Sequence, residues 1–147
     1  MKVEAKLKEM GIELKELPKC DHPIERTKTA CGLTFVSGHG TNILGKVGAE
    51  LSVEEGYKAA REAAINCLSA IKQIAGDLDK VNFVKVFGMV NSAPDFTEQP
   101  TVVNGVSDLL IEVFGQEKGS HARSAVGMCS LPRGIACEVE MVVEIQK

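Results

Sequence analysis

The segment Ser120-His-Ala-Arg-Ser-Ala-Val-Gly-Met-Cys-Ser-Leu-Pro132 carries one arginine, Arg123, at the head of a run of small and apolar residues. A Pro-Arg-Gly sequence at 132–134 follows, with the composition of a turn. After it, Ala136-Cys-Glu-Val-Glu-Met-Val-Val-Glu-Ile145 alternates between apolar and acidic side chains, which is the pattern of a half-exposed strand. We therefore expect the chain to close with two strands, at about 123–129 and 137–145.

The last of these strands carries its charges on one side. Because side chains alternate along a strand, Glu138 and Glu140 share one face, opposite the apolar Val139 and Met141. A cation on one strand and acids on the next can bind a small anion, and a carboxylate near an arginine can orient a water molecule or transfer protons. The same residues suit the charged face of an ordinary edge strand. The pattern alone leaves both interpretations open.

The composition is that of one globular domain, residues 1–147. Hydrophobic residues make up 44% and charged residues 25% of the chain, near the averages for folded proteins. With a net charge of −3, one Tyr and no Trp, the chain lacks the basicity and the stacking residues of a nucleic-acid binder. No apolar run approaches the ~20 residues of a membrane span, and the charged N-terminus does not resemble a signal peptide. We expect a cytoplasmic protein that binds neither membranes nor nucleic acids.

The cysteines and histidines do not indicate a metal or a cofactor. The three histidines lack the spacing of a metal-binding pair. The cysteines are odd in number and widely spaced, which argues against a disulfide framework and against a zinc site. We expect each of them to be a buried thiol: Cys20, Cys31, Cys67, Cys129 and Cys137.

The first third of the chain predicts a short helix and a pair of strands. Apolar positions within 2–10 fit a surface helix. A β-rich run predicts a strand at 33–37, with 28–30 pairing to it across a turn at Cys31-Gly32. The glycine-rich segment 38–48 predicts a loop. A phosphate-binding loop is the alternative, but the lysine and the helix start that such a loop needs are missing at the required spacing.

Two helices and a strand are predicted in the middle of the chain. Ser52 and Glu55 have the spacing of a capping box, which begins a long helix at about 53–75 with an alanine-rich apolar stripe. A β-branched and aromatic run predicts a strand at about 81–90. Apolar residues at helical spacing then predict a second helix at about 99–114.

This order of elements predicts an α+β fold, with one mixed sheet, antiparallel closing strands and two long helices packed on one face. In the strand at 81–90, neither the set Phe83, Lys85 and Phe87 nor the alternate residues between them is polar throughout. The sheet face without helices is therefore expected to be partly apolar as well. A sheet of this kind predicts an oligomer.

Several motifs together resemble the RidA/YjgF family, also called the reactive-intermediate deaminases or liver perchloric-acid-soluble proteins. The likeness is carried by His121-Ala-Arg-Ser-Ala-Val-Gly-Met128, Leu131-Pro132 and Glu138-Val-Glu140, and by Ser37-Gly38, Leu51-Ser-Val-Glu-Glu55, Val90-Asn-Ser-Ala-Pro-Asp-Phe96 and Val103-Asn104. It covers the chain from about residue 20 to the end. The Val-Asn-Ser-Ala-Pro sequence and the extra N-terminal helix are similar to a distinct, less characterised branch.

The resemblance implies a chorismate-mutase-like fold assembled as a homotrimer, with a ligand cleft at each subunit interface and no cofactor. It implies hydrolysis of short-lived enamine or imine acids, such as 2-aminoacrylate, to 2-keto acids and ammonia. Arg123 matches the family arginine that binds the substrate carboxylate, and Glu138 matches the acid that positions the attacking water. Asn104 and the backbone of Gly38 match further cleft contacts.

Two positions in the implied cleft depart from the family pattern. Ala125 stands where many members have a cysteine two residues after the arginine. Ile24 stands where the deaminases have an aromatic residue. Both departures change the wall of the cleft while leaving the carboxylate-binding arginine. A non-catalytic trimer that binds keto acids is therefore the alternative hypothesis, and a ribonuclease is the least favoured one.

Overall fold

The sheet and the long helices form two layers in the computed structural model, which describes residues 2–147. Within this range one layer is a mixed five-stranded sheet, and the other consists of two long helices on one of its faces. The elements are α1 (Lys2–Glu9), β1 (Thr27–Ala30), β2 (Leu33–Gly40), α2 (Val53–Ala75), β3 (Val81–Asn91), α3 (Gln99–Gly119), β4 (Ala122–Met128) and β5 (Cys137–Ile145). The predicted α+β class is confirmed.

The strands lie in the order β1-β2-β5-β3-β4. Strand β5 is antiparallel to both of its neighbours, β2 and β3. Strand β4 is parallel to β3, so the expectation of two antiparallel closing strands is correct for β5 and wrong for β4. The reason is that α3 serves as a crossover, which returns the chain to the end of the sheet where β3 began. The two closing strands are therefore not neighbours, because β3 lies between them.

Strand β2 is longer than the sequence pattern predicts. It continues through Gly40, so that Gly38 and His39 belong to the strand and not to the following loop. A register shift between Val36 and His39 inserts one extra residue before pairing with β5 resumes at Val139. In a bulge of this kind, one strand has one more residue than its partner between two paired positions. Gly38 and Gly40 are thus part of an irregular strand, whereas Gly45 and Gly48 lie in the predicted loop and have positive φ.

The two long helices begin as the sequence predicts. The capping box of α2 is present: the Ser52 hydroxyl accepts from the Glu55 amide at 3.1 Å, and the Glu55 carboxylate accepts from the Ser52 amide at 2.7 Å. Helix α3 extends beyond the predicted end. Gly115 breaks its helical geometry at φ 77°, and a further turn follows to Gly119. Within residues 2–147, no helix combines the length and the apolarity needed to cross a bilayer.

The sheet buries one face against α2 and α3. Val86, Val139 and Met141 are among its buried side chains on this helix face. A second register shift, between Phe83 and Lys85, changes the alternation in β3. Phe83 consequently lies on the helix face, where its ring makes an edge contact with Phe114 at 4.8 Å. The sequence pattern had placed Phe83 and Phe87 on one face, and the bulge separates them.

The opposite face of the sheet, called the open face below, carries apolar side chains without a helix over them. Phe35 is 50% exposed and Val126 is 36% exposed. Beside them, Met89, Leu131 and Ile135 form a small buried cluster. This distribution agrees with the expectation of a partly apolar second face.

The cysteines are less uniform than expected. Cys67 and Cys137 are buried, and burial raises the pKa of the Cys137 thiol to about 12 and that of Cys67 as well. Cys31 and Cys129 are exposed and Cys20 is partly exposed, so the prediction of a buried thiol is wrong for these three. Cys31 lies in the β1–β2 turn and Cys129 directly follows β4, positions at which the chain leaves the sheet.

Candidate functional site

Arg123 lies near the start of the edge strand β4 and extends across α3. Its Nη1 group donates to the Asn104 Oδ1 atom at 2.8 Å and to the Ser107 hydroxyl at 3.1 Å. Its Nη2 group reaches the Pro100 carbonyl at 3.5 Å. The guanidinium thus lies along α3, in the shallow space between that helix and the outer edge of the sheet.

These contacts leave one edge of the guanidinium for a ligand. Arginine has five N–H donors in a fixed planar geometry. Within residues 2–147, three of them are used by the Asn104, Ser107 and Pro100 bonds. The remaining donors are the Nε–H and one Nη2–H, and the Nε–Nη2 edge of an arginine matches the two oxygens of a carboxylate. The protein therefore holds Arg123 in a form suited to bidentate recognition of an acid.

Arg123, Asn104 and Ala125 together form the arginine half-site. Ala125 lies two residues after Arg123, so both side chains point to the helix face of β4. Ala125 is half-buried and packs against the core. Its methyl group leaves more space and less polarity beside the guanidinium than a cysteine would.

Glu138 lies on β5 over the bulged part of β2. A Cβ atom built on Gly38 would come within 3.0 Å of the Glu138 Cδ atom and 3.2 Å of its Oε2 atom. The Glu138 carboxyl group therefore occupies the space that a side chain at Gly38 would need. A side chain at position 38 would require the Glu138 carboxyl group to shift by a few tenths of an ångström, so the glycine at this position is tied to the placement of Glu138.

Ile24 lies at the border of the same region. The Glu25 carbonyl accepts from the Ser37 hydroxyl at 2.6 Å, and the Arg26 carbonyl accepts from the Ser37 amide at 2.8 Å. These bonds hold the segment that contains Ile24 beside the Ser37-Gly38 backbone. The Ile24 side chain is 59% exposed. We call Ile24, Gly38 and Glu138 the glutamate half-site.

The two half-sites do not meet within one chain. Glu138 pairs with Met89, and Arg123 pairs with Val86 from the other side of β3. Gly88 lies against Val103 of α3, so Val86 and Arg123 belong to the helix face, while Met89 and Glu138 belong to the open face. With β3 in between, the β4 and β5 backbones are about 10 Å apart. The sheet thus separates the cation from the acid that the sequence pattern had set side by side.

Two polar residues of this region were not singled out from the sequence. Ser107 lies one turn after Asn104 on α3, and its hydroxyl contacts the His121 Nε2 atom at 2.9 Å. The Nδ1 atom of His121 contacts the Gly119 carbonyl at 2.7 Å. The i, i+3 spacing of Asn104 and Ser107 was a usable signal. The approach of His121 depends on the path of the turn before β4, which no local pattern reveals.

His39 neighbours the glutamate half-site and is a buried histidine. It is 8% exposed, its Nδ1 atom contacts the Ser37 carbonyl at 2.7 Å, and its Nε2 atom has no hydrogen-bond partner within residues 2–147. Burial lowers the pKa of His39 below its usual value, against the opposing effect of the Ser37 carbonyl. The folded protein therefore favours the neutral imidazole.

We expect the thermal stability of the protein to fall as the pH drops below about 6.5, where an unfolded histidine takes up a proton and the buried His39 does not. Because the unfolded chain then binds more protons, protonation stabilises it relative to the folded chain. Melting temperatures measured between pH 8 and pH 5 should fall less steeply for His39→Asn than for the wild type. The asparagine amide can still donate to the Ser37 carbonyl but does not titrate in this range. His22→Asn, at an exposed histidine, should retain the wild-type slope, and equal slopes for all three proteins would contradict the role given to His39.

Comparison with known proteins identifies relatives over most of the chain. The model of the family described as "YjgF/chorismate mutase-like, putative endoribonuclease" matches residues 22–145. Protein TCP17 of Trypanosoma cruzi is 50% identical over 107 residues, which cover 72% of this chain and 67% of TCP17.

Solved structures show the same fold along the whole chain. The protein Atu1372 of unknown function from Agrobacterium tumefaciens is 36% identical, with a TM-score of 0.89, and the match covers 98% of this chain and 92% of Atu1372. A protein from Shewanella oneidensis MR-1, described in the same endoribonuclease terms as the family, is 28% identical, with a TM-score of 0.92 over 99% of this chain and 100% of that protein.

Proposed function

Because the chain belongs to the YjgF/chorismate mutase-like family, also known as the RidA/YjgF family, we propose that it hydrolyses reactive 2-imino acids to 2-keto acids and ammonia. The observation that carries this proposal is the arginine half-site. Arg123 is held by α3 through Asn104, Ser107 and Pro100, and its free edge has the geometry that a substrate carboxylate requires.

The proposed active form is a homotrimer in which each cleft lies between two subunits. One subunit supplies Arg123 and Asn104, and its neighbour supplies Glu138, Gly38 and Ile24. Two features support this arrangement: the half-sites lie on opposite faces of the sheet within one chain, and the open face carries exposed apolar residues such as Phe35 and Val126. Burial of that face against further copies removes apolar surface from water.

The reaction needs a water molecule placed beside an electrophilic carbon. The substrate enters as the 2-imino acid, or as an enamine such as 2-aminoacrylate that tautomerises to it. Water attacks C2 of the protonated imine while Glu138 accepts one of the water protons; the C2–O bond forms, the C2=N π bond breaks toward nitrogen, and a neutral tetrahedral amino alcohol results. Glu138 returns the proton to the nitrogen and then accepts the hydroxyl proton as the C2=O double bond forms and the C2–N bond breaks, so that ammonia and the 2-keto acid leave. Positioning of water and substrate supplies the acceleration.

The proposed activity is tested with a pyridoxal-phosphate dehydratase that generates the imino acid in the assay. Because free imino acids also hydrolyse in water, the quantity to measure is the additional rate of keto acid formation when this protein is present. We expect the rate to rise with protein concentration and to return to the background with Arg123→Ala. An unchanged rate with the wild-type protein would overturn the proposal.

Binding without turnover is the second candidate, and the residues Ala125 and Ile24 favour it. They replace the cysteine and the aromatic residue expected at the cleft, and they alter its wall without removing Arg123. Calorimetry with pyruvate together with the imino acid assay separates the candidates, since both proteins would bind pyruvate but the binding protein would leave the imino acid rate unchanged. RNA is a less favoured substrate, because the net charge of −3 opposes the attraction of a polyanion.

A further inference from the structure

The side chains behind Arg123 form a continuous series of hydrogen bonds. Arg123 Nη1 contacts the Ser107 hydroxyl at 3.1 Å, that hydroxyl contacts His121 Nε2 at 2.9 Å, and His121 Nδ1 contacts the Gly119 carbonyl at 2.7 Å. The series joins the arginine half-site to the backbone at the end of α3. Ser107 contacts Arg123 directly, but neither Ser107 nor His121 takes part in the bond-making and bond-breaking steps proposed above.

The direction of each hydrogen bond follows from the Gly119 end. A carbonyl oxygen only accepts, so the His121 Nδ1 atom must carry the hydrogen. In the neutral imidazole, Nε2 is then the acceptor, and the Ser107 hydroxyl donates to it. With its hydrogen committed to His121, the Ser107 oxygen presents its lone pairs to Arg123. The series therefore fixes Ser107 as an acceptor for the guanidinium.

The far end of the series is buried and closely packed. A Cβ atom built on Gly119 would lie 2.4 Å from the Leu110 carbonyl oxygen, so the absence of a side chain lets the chain pack directly on α3. Asn104, the other acceptor for Nη1, is exposed, and its side-chain amide has only Arg123 as a hydrogen-bond partner within residues 2–147. Of the two side chains that accept from Nη1, Ser107 is therefore the one whose hydrogen bonds continue, through His121, to the buried backbone at Gly119.

We propose that Ser107 and His121 are positioning residues, which hold Arg123 with its Nε–Nη2 edge turned toward the ligand carboxylate. An arginine side chain has considerable rotamer freedom, and each bond that restricts it lowers the entropy lost when the ligand binds. The proposal rests on the proposed function, because it assigns Ser107 and His121 a role only if Arg123 binds an acid. It predicts an effect on affinity, since the carboxylate is held equally in the substrate and in the transition state.

A purely structural role would have a different signature. If Ser107 and His121 only tie the start of β4 to α3, their replacement lowers the melting temperature and leaves the affinity of the folded protein unchanged. If they position Arg123, the dissociation constant for pyruvate and the KM for the imino acid rise together, while kcat stays within about twofold. The two residues also act as one unit, so their effects should not add.

The experiment measures pyruvate binding by calorimetry and imino acid hydrolysis for four variants of the full chain. Ser107→Ala and His121→Leu should each raise the dissociation constant by at least about 10-fold, the lower end of the effect of losing a hydrogen bond to a charged group. The double variant should be within about twofold of Ser107→Ala. His121→Gln should bind within about threefold of the wild type, because its amide oxygen can accept from Ser107 in place of Nε2.

Ser69→Ala is the matched control, since Ser69 is a helical serine on α2 whose hydroxyl donates to the Ile65 carbonyl; it should bind pyruvate as the wild type does. Unchanged affinity in Ser107→Ala, or full additivity in the double variant, would overturn this inference and leave the proposed function standing. A wild-type protein that binds no pyruvate would overturn both. If His121→Leu does not fold, the small change Ser107→Ala decides the outcome alone.

Discussion

Replacing Arg123 by lysine is expected to lower kcat/KM for imino acid hydrolysis by at least about 100-fold, although the positive charge is kept. Lysine is a single point of charge and cannot present two parallel donors to a carboxylate. It also cannot replace the three bonds that hold Arg123 on α3 at Asn104, Ser107 and Pro100. The loss should appear in the KM and in the dissociation constant for pyruvate. Arg123→Ala should raise the KM and the dissociation constant further.

The control for this change is another arginine with a contact to α3. Arg61 on α2 pairs with Glu112 at 3.7 Å, on the outer side of the helices. Arg61→Ala also removes a guanidinium group. Its ion pair with Glu112 is partly exposed and contributes little to stability, so the variant should keep the wild-type kcat/KM. Wild-type affinity for pyruvate in Arg123→Lys would mean that the guanidinium edge does not receive the carboxylate.

Glu138→Gln is expected to lower kcat by about 100- to 10,000-fold, the usual contribution of a general base. Glutamine keeps the size of the side chain and its fit over Gly38, but it cannot accept a proton from the attacking water. Because Glu138 does not hold the carboxylate in this account, the dissociation constant for pyruvate should stay within about threefold of the wild type. The variant should therefore bind pyruvate like the wild type but hydrolyse the imino acid far more slowly.

Glu140 provides a matched control for this second change. It is the other acid on the same face of β5, two residues further along the strand, and it is exposed. Glu140→Gln should keep the wild-type kcat. Equal losses in both variants would point to a general effect of negative charge on the open face, and full activity in Glu138→Gln would remove Glu138 from the mechanism.

Much of the fold could be predicted because its elements carry local signals. The capping box at Ser52 and the apolar stripe of α2 depend on residues within a few positions of each other. The two bulges carry no such local signal. Their register shifts, at Val36/His39 and Phe83/Lys85, arise from pairing with β5, which is distant in sequence. For the same reason, the continuation of β2 through Gly38 and the separation of Phe83 from Phe87 were missed.

The sequence predicts which residues belong to the candidate site, but not how the fold arranges them. Strand alternation correctly places Glu138 and Val139 on opposite faces of β5. It does not reveal that β3 lies between the strands that carry Glu138 and Arg123. That fact depends on the parallel crossover through α3. The sequence therefore suggests that Arg123 and Glu138 are neighbours, whereas the structure places them in two separate half-sites. In the proposed trimer, both residues reach one ligand.

Complementation between inactive subunits tests this central claim most directly. Arg123→Ala and Glu138→Gln proteins are unfolded together in equal amounts, refolded as a mixture and assayed for imino acid hydrolysis. If each cleft takes its arginine and its glutamate from different subunits of a trimer, about one quarter of the clefts in the mixture contain both native residues. The account predicts recovery of about a quarter of the wild-type rate. No recovery above the two variants refolded separately would contradict it.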